Sequence, residues 1–216
     1  MRSNTKKIVL IGLFSALAYV STLFFRIPIS SVEFLKYDPK DFIIIILGFI
    51  SGPAAAFGVS VVVSLIEAIS FSTTGLIGFI MNALSSAAFA CPAALIYKKK
   101  RTLSGAIIGL ITGVTFMCSV MLIWNYIITP MYMTISREAI ADMLLPVFLP
   151  FNLIKGSINA SIAMLLYKPT IKALKTTRLM DGDDKSDGGV KFFVIAVSVL
   201  ILISCILAVL IIKGII

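Results

Sequence analysis

The sequence predicts an all-α fold: a helical transmembrane bundle of six core segments followed by a seventh, C-terminal membrane helix. Three observations predict it. The 216 residues are 59% hydrophobic and only 13% charged, with a mean hydropathy of +1.08, whereas soluble domains carry about 25% charged residues. The apolar runs are near-continuous over helical lengths, where barrel strands would alternate. The basic residues cluster beside those runs, where membrane topology puts them, so the net charge of +9 does not point to nucleic acid.

Residues 1–7 are polar and basic (Arg2, Lys6, Lys7) and lead into an apolar run over residues 8–25. Ala16-Leu17-Ala18 resembles a signal cleavage site, but the hydrophobicity continues through Leu23-Phe24-Phe25, which favours a retained first span. Gly12 and Ala16 form a small-xxx-small pair with Ser15 close by. Such a face lets another helix approach closely, either inside the bundle or from a partner subunit. Residues 26–40, polar, aromatic and broken by Pro28 and Pro39, have the length of a lid or binding loop. The apolar run over 42–50 is too short to cross a core of roughly 30 Å. It either begins in the tail of the loop or is a half-buried helix, and it ends at Gly52-Pro53.

The third segment, 54–71, carries Ser60, Ser64 and Glu67 at i, i+4 and i+7, a polar stripe on one helical face. Glu67 could pair with Lys155, contact a ligand, or snorkel from near the helix end. The fourth segment, 75–97, groups Asn82, Ser85 and Ser86 on one side and stops at Lys98-Lys99-Lys100-Arg101, a cytoplasmic marker. The fifth, 103–128, opens with small residues suited to close packing (Gly105, Ala106, Gly109, Gly113). At its end Trp124, Tyr126 and the following Tyr132 fit an interfacial aromatic belt, while Asn125 and Thr129, one turn apart, could equally face inward at the mouth of a cavity. Residues 135–143 read as a mildly amphipathic loop.

The sixth segment, roughly 145–168, places Asn152, Lys155 and Asn159 within one narrow arc. A charge near the bilayer centre costs from about 2.5 kcal/mol upwards unless it is paired or faces a polar cavity. Three polar groups looking one way therefore favour a ligand site over a lysine that snorkels. Lys168, Lys172, Lys175 and Arg178 follow. Residues 181–189 are a polar linker whose faint likeness to a calcium loop fails, because Lys185 replaces a needed ligand and no glutamate closes it. The run over 190–212 is a featureless, lipid-facing anchor. The chain thus divides into a six-helix membrane domain (1–175), a polar cytoplasmic linker (176–189) and an extra C-terminal helix (190–216).

Cys91, Cys118 and Cys205 sit singly in apolar runs and read as small buried hydrophobes. The absence of histidine excludes triads and His-based metal sites, and Ser157 beside Lys155 is a poor catalytic pair, since i and i+2 diverge on a helix. With the N-terminus inside, most of the nineteen Lys and Arg residues fall on the cytoplasmic side. The 26–40 loop, Thr129-Pro130 and Pro150-Phe151-Asn152 then converge on one outward-facing pocket. Asparagine amides both donate and accept, which suits a heterocycle edge of alternating carbonyl and N–H groups, and Tyr37 and Phe151 would cover its flat faces. The expected ligand is small, planar and mostly uncharged.

The stretches Glu33-Phe34-Leu35-Lys36-Tyr37-Asp38-Pro39, Gly52-Pro53, Asn125-Tyr126-Ile127-Ile128-Thr129-Pro130-Met131-Tyr132 and Leu149-Pro150-Phe151-Asn152-Leu153-Ile154-Lys155-Gly156 resemble the riboflavin-specific substrate-binding (S) components of bacterial energy-coupling factor (ECF) transporters. The resemblance covers about residues 5–175. It implies a six-helix S-component core that captures riboflavin near its outer face, with riboflavin as cargo and no cofactor. It also implies partnership with a transmembrane coupling subunit and two cytoplasmic ATPases, and toppling of the whole component in a bacterial plasma membrane. By the same resemblance Asn125, Asn152 and Lys155 match flavin-holding positions, and Lys36, Tyr37 and Asp38 match the closing loop. Glu67, Asn82, Thr129, Phe151 and Asn159 complete the expected site, and Gly12, Ser15 and Ala16 lie on the face expected to meet the coupling subunit. The competing readings are an S component for another vitamin, which the loop and lysine motifs disfavour; an intramembrane enzyme, which lacks a catalytic pair; and a membrane-assembly protein, which leaves the polar stripes unexplained.

Overall fold

The computed structural model describes residues 2–28, 35–70, 75–133, 135–176 and 192–212. Residues 29–34, including Glu33 and Phe34 of the loop, and the 181–189 linker lie outside these. The helices are α1 (Arg2–Phe25), α2 (Lys40–Ser51), α3 (Pro53–Ser70), α4 (Gly75–Lys99), α5 (Leu103–Met133), α6 (Arg137–Met143), α7 (Leu149–Thr176) and α8 (Phe192–Ile212). A π-helical turn, Leu144–Phe148, joins α6 to α7. Six described segments are long and apolar enough to cross a membrane, and α2 is not among them.

The core is built round that short helix. At 1.5 Å per residue its 12 residues reach only about 18 Å, and Ile43, Ile44, Ile45, Ile46, Leu47 and Phe49 are all buried, so it is enclosed by protein on nearly every side. Of the two alternatives for this run, the helix begins in the loop's tail, at Lys40, and it is packed within the bundle more deeply than a half-buried helix would be. Gly52 ends it with φ +93°, and its N–H closes back on the Gly48 carbonyl, a left-handed stop that a side chain would resist. Pro53 then opens α3 directly.

Around α2, α1 contributes Leu10, Phe14, Ala18 and Thr22, an i+4 row that is buried while the rest of that helix is largely exposed. The most extensive helix pairing is α4 with α5. It is close because a Cβ at Gly113 would stand 2.5 Å from the Phe89 carbonyl oxygen, and one at Gly109 would stand 2.8 Å from that of Ala93. Only hydrogen fits there. At the basic end Phe49 stacks on Tyr97, centroids 4.5 Å apart, Tyr167 meets both rings edge-on at 5.5 Å, and the two tyrosine hydroxyls share a hydrogen bond.

At the opposite end the arms of the 26–40 loop pair as a two-residue antiparallel ribbon, β1 (Ile27–Pro28) with β2 (Lys36–Tyr37), Ile27 facing Tyr37. A smaller apolar cluster of Leu35, Tyr37, Ile140, Phe148, Phe151 and Ile158 lies beneath it. The stretch 135–143, read as a loop, is in fact mostly helix: Ser136 caps α6 by accepting the Ala139 N–H at 3.2 Å, a cap that offsets the shortness of the helix. α8 lies along α7, where Leu202, Cys205 and Val209 join the smaller cluster, and its remaining surface is largely exposed.

Candidate functional site

Four helix ends and the ribbon meet at the loop end of the bundle. Arg26 directly follows α1, and Leu35, Lys36 and Asp38 come from β2 and the residues flanking it. Met81, Asn82 and Ser85 come from α4, Met121 and Asn125 from α5, and Phe151, Asn152 and Lys155 from the first turns of α7. Together they line a narrow cleft whose free interior is about 30 Å³, well below that of an open small-ligand site.

The amides in this cleft are oriented by the helices that carry them. Asn125 Nδ2 donates to the Met121 carbonyl at 2.7 Å, and its Oδ1 accepts the Thr129 hydroxyl at 2.9 Å. Asn152 Nδ2 donates to the Phe148 carbonyl at 2.8 Å, so its Oδ1 remains for a ligand donor. Asn82 Nδ2 leans on Glu67 Oε2 at 3.4 Å, and because a carboxylate can only accept, its Oδ1 also remains as an acceptor. Lys155 is the facing cation, 5% exposed.

Behind the lining lies a network of ion pairs. Lys155 Nζ stands 3.4 Å from Asp41 Oδ2 and 3.9 Å from Asp38 Oδ2. Arg26 Nε stands 3.2 Å from Asp38 Oδ1. Asp41 Oδ1 accepts the Ser86 hydroxyl at 2.6 Å. Lys40, with no exposed surface, pairs with Glu67. Among the described residues, three cations (Arg26, Lys40, Lys155) thus meet three carboxylates (Asp38, Asp41, Glu67). Each buried charge has the partner that makes burial tolerable. Lys155 is thus already matched by carboxylates, and what it offers a ligand is hydrogen bonds more than unpaired charge. Tyr37, behind the cleft in the smaller apolar cluster, has its phenol pushed well above the ordinary tyrosine range by burial and by the carboxylates of Asp41 and Asp38. Its hydroxyl keeps its proton.

Of the expected site residues, Lys36, Asp38, Asn82, Asn125, Phe151, Asn152 and Lys155 line the cleft. Tyr37, Glu67, Thr129 and Asn159 do not. Thr129 orients Asn125. Glu67 neither snorkels nor takes Lys155 as its ion-pair partner: it is 2% exposed and bound to Lys40, because α2 starts early enough to bring Lys40 alongside α3. Asn159 faces the start of α2, where it accepts the Phe42 N–H and donates to the Asp38 carbonyl. On α1, Gly12 and Ala16 are exposed while Ser15 turns into the bundle. Lys40 and Asp41 were not read from the sequence as site residues. Their signal was a proline followed by two charges directly before an apolar run, which marks a helix start and hence their place inside the bundle.

Comparison with known proteins gives consistent matches. A family model for the ECF transporter substrate-specific component matches residues 6–167. The chain is 33% identical over 182 residues to riboflavin transporter RibU of Staphylococcus aureus (strain TCH60), covering 81% of this chain and 95% of that protein. It is 28% identical over 189 residues to riboflavin transporter FmnP of Bacillus subtilis (strain 168), covering 82% and 99% respectively. A solved structure of the S component of a bacterial ECF transporter superposes with a TM-score of 0.68 at 31% identity, over 80% of this chain and 99% of that one. α8 lies beyond the region the family model matches.

Proposed function

Because the chain belongs to the family of ECF transporter substrate-specific components, we propose that it is the membrane subunit that captures riboflavin outside the cell and passes it to the cytoplasm with an energy-coupling module. The observation that carries the ligand is the cleft, in which the amides of Asn82, Asn125 and Asn152 and the Lys155 ammonium share a narrow space backed by buried ion pairs. The pyrimidine edge of a flavin alternates carbonyl and N–H groups. Asn152 Oδ1 suits an N–H, Lys155 suits a carbonyl, and the Phe151 ring suits the flat face. The riboflavin transporters among its relatives support the same ligand.

The basic clusters at Lys98-Lys99-Lys100-Arg101, Lys168 and Lys172 support a cytoplasmic position for their end of this multi-pass protein. The N-terminus then lies inside and the cleft opens outward from a bacterial plasma membrane. The partners are those that the resemblance to ECF substrate-specific components implies, a transmembrane coupling subunit and two cytoplasmic ATPases. The exposed Gly12 and Ala16 on α1 offer the close-approach face for the coupling subunit. Riboflavin is cargo, not cofactor, and the chain is not an enzyme. Residues 1–175 form the vitamin-binding unit, and 190–216 are an addition reached through the 176–189 linker.

The test is direct. The protein is purified in detergent, its absorbance and flavin fluorescence are recorded, and stripped protein is titrated with riboflavin beside Lys155→Ala and Asn125→Ala. A yellow preparation whose quenching is lost in both variants is the expected result. A colourless protein that never quenches riboflavin would overturn the assignment and direct the search to other vitamins.

A further inference from the structure

Two carboxylates lie near the Lys155 ammonium, and they are not equivalent. Asp38 lines the cleft and already has a second cation, Arg26, at 3.2 Å, nearer than Lys155 at 3.9 Å. Asp41 stands closer to Lys155, at 3.4 Å, and among the described residues pairs with no other cation. It is 1% exposed and does not line the cleft. Its second oxygen is tied by the Ser86 hydroxyl of α4 at 2.6 Å. Its place in the first turn of α2 also suits a carboxylate, because that end of a helix favours negative charge. Asp41 is therefore fixed from two sides and can reach a ligand only through Lys155.

We propose that Asp41, held by Ser86, is a positioning residue for ligand capture: its carboxylate fixes and neutralises the Lys155 ammonium so that the site takes an uncharged hydrogen-bond acceptor. A buried ammonium without a fixed counter-ion would swing toward the surface or draw an anion into the cleft. With Asp41 behind it, one N–H is directed at the carboxylate and the others are left for a neutral carbonyl. The inference rests on the flavin reading above and deepens it. It says why the lysine of this site selects a carbonyl and not an anionic group.

The test is a double-mutant cycle on the full chain in detergent, read as riboflavin Kd by fluorescence quenching. Asp41→Asn and Lys155→Gln should each weaken binding about tenfold or more, and Ser86→Ala should weaken it less. Asp41→Asn combined with Lys155→Gln should bind no more weakly than Lys155→Gln alone, because Asp41 then has nothing left to act through. A merely structural role would make the losses multiply, and that result, or an Asp41→Asn protein that binds as tightly as the wild type, overturns the proposal. Should Asp41→Asn not fold, Ser86→Ala carries the same cycle with Lys155→Gln, where it must add nothing. A wild-type protein that fails to quench riboflavin sinks the flavin reading and this one with it. Wild-type binding with multiplying losses sinks this one alone.

Discussion

The side-chain oxygen of Asn159 accepts the backbone N–H of Phe42 at 3.1 Å. The same amide donates from Nδ2 to the Asp38 carbonyl at 3.3 Å and to the Lys155 carbonyl at 3.0 Å. Phe42 lies in the first turn of α2, where backbone N–H groups have no intrahelical acceptor. One side chain of α7 therefore satisfies an orphan donor of α2 and holds the loop arm that bears Asp38. Asn159→Ala should destabilise the protein by about 1–3 kcal/mol and release riboflavin faster, as the arm loosens over the cleft. Thermal melting and stopped-flow release check both, and unchanged values would show that the clamp carries no weight.

Lys40 and Glu67 are a second case of paired burial. Lys40 has no exposed surface, and its partner is 2% exposed. Removing one charge strands the other in an apolar interior, at a cost of about 3–5 kcal/mol. Glu67→Gln should lower the melting temperature sharply, and adding Lys40→Met should recover much of the loss, since no unpaired charge then remains. If the double variant melts no higher than Glu67→Gln, the pair is not the source of the effect.

How much of this was legible in the chain follows from periodicity. Asn152, Lys155 and Asn159 recur at helical spacing and all three are buried, as are Ser60, Ser64 and Glu67 on α3. Periodicity reports a face but not its depth or its partner, so it could not separate Asn152 and Lys155, on the cleft wall, from Asn159 below it. Lys40 and Asp41 escaped because two charges at the edge of a polar loop look solvated until α2 is seen to begin with them. α6 escaped because seven residues are too few to show a helical repeat.

Gly113 and Gly12 should answer differently to the same substitution. A Cβ on Gly113 would meet the Phe89 carbonyl oxygen at 2.5 Å, whereas nothing lies within 4 Å of one on Gly12. Gly113→Ala should cost about 1–3 kcal/mol, as overpacking does, seen as a lower melting temperature. Gly12→Ala should leave melting unchanged, and a bulkier Gly12→Trp should leave riboflavin binding intact while preventing co-purification with the coupling subunit. A Gly12→Trp protein that still co-purifies would place the docking face elsewhere.

Tyr37 gives the protein an alkaline limit. Its phenol is held well above its ordinary range by burial first and by Asp41 and Asp38 next. A group whose folded pKa is raised contributes fully below its unfolded value, about 10 for tyrosine, and that contribution is lost as pH climbs toward the folded value, because the unfolded chain sheds its proton first. The loss should approach about 1.4 kcal/mol per pH unit above pH 10. Melting curves at pH 9 and pH 11 should show a smaller alkaline drop for Tyr37→Phe than for the wild type. Equal drops would assign the alkaline loss to other groups.

α8 should be dispensable for binding. It lies outside the region matched by the family model, and its contacts run along α7 through Leu202, Cys205 and Val209. None of its residues lines the cleft. Those side chains cover part of the smaller apolar cluster, including Ile154 and Ile158, so removing them exposes to detergent or lipid a surface as apolar as the one lost. In a bilayer that exchange costs far less than exposing it to water, because lipid tails solvate such a surface well. A chain ending at Thr176 should therefore keep its riboflavin affinity within about threefold, a shift of under 1 kcal/mol, with a modest fall in melting temperature. A folded truncation that no longer binds would make α8 part of the binding unit, supporting α7 from behind at the level of Lys155.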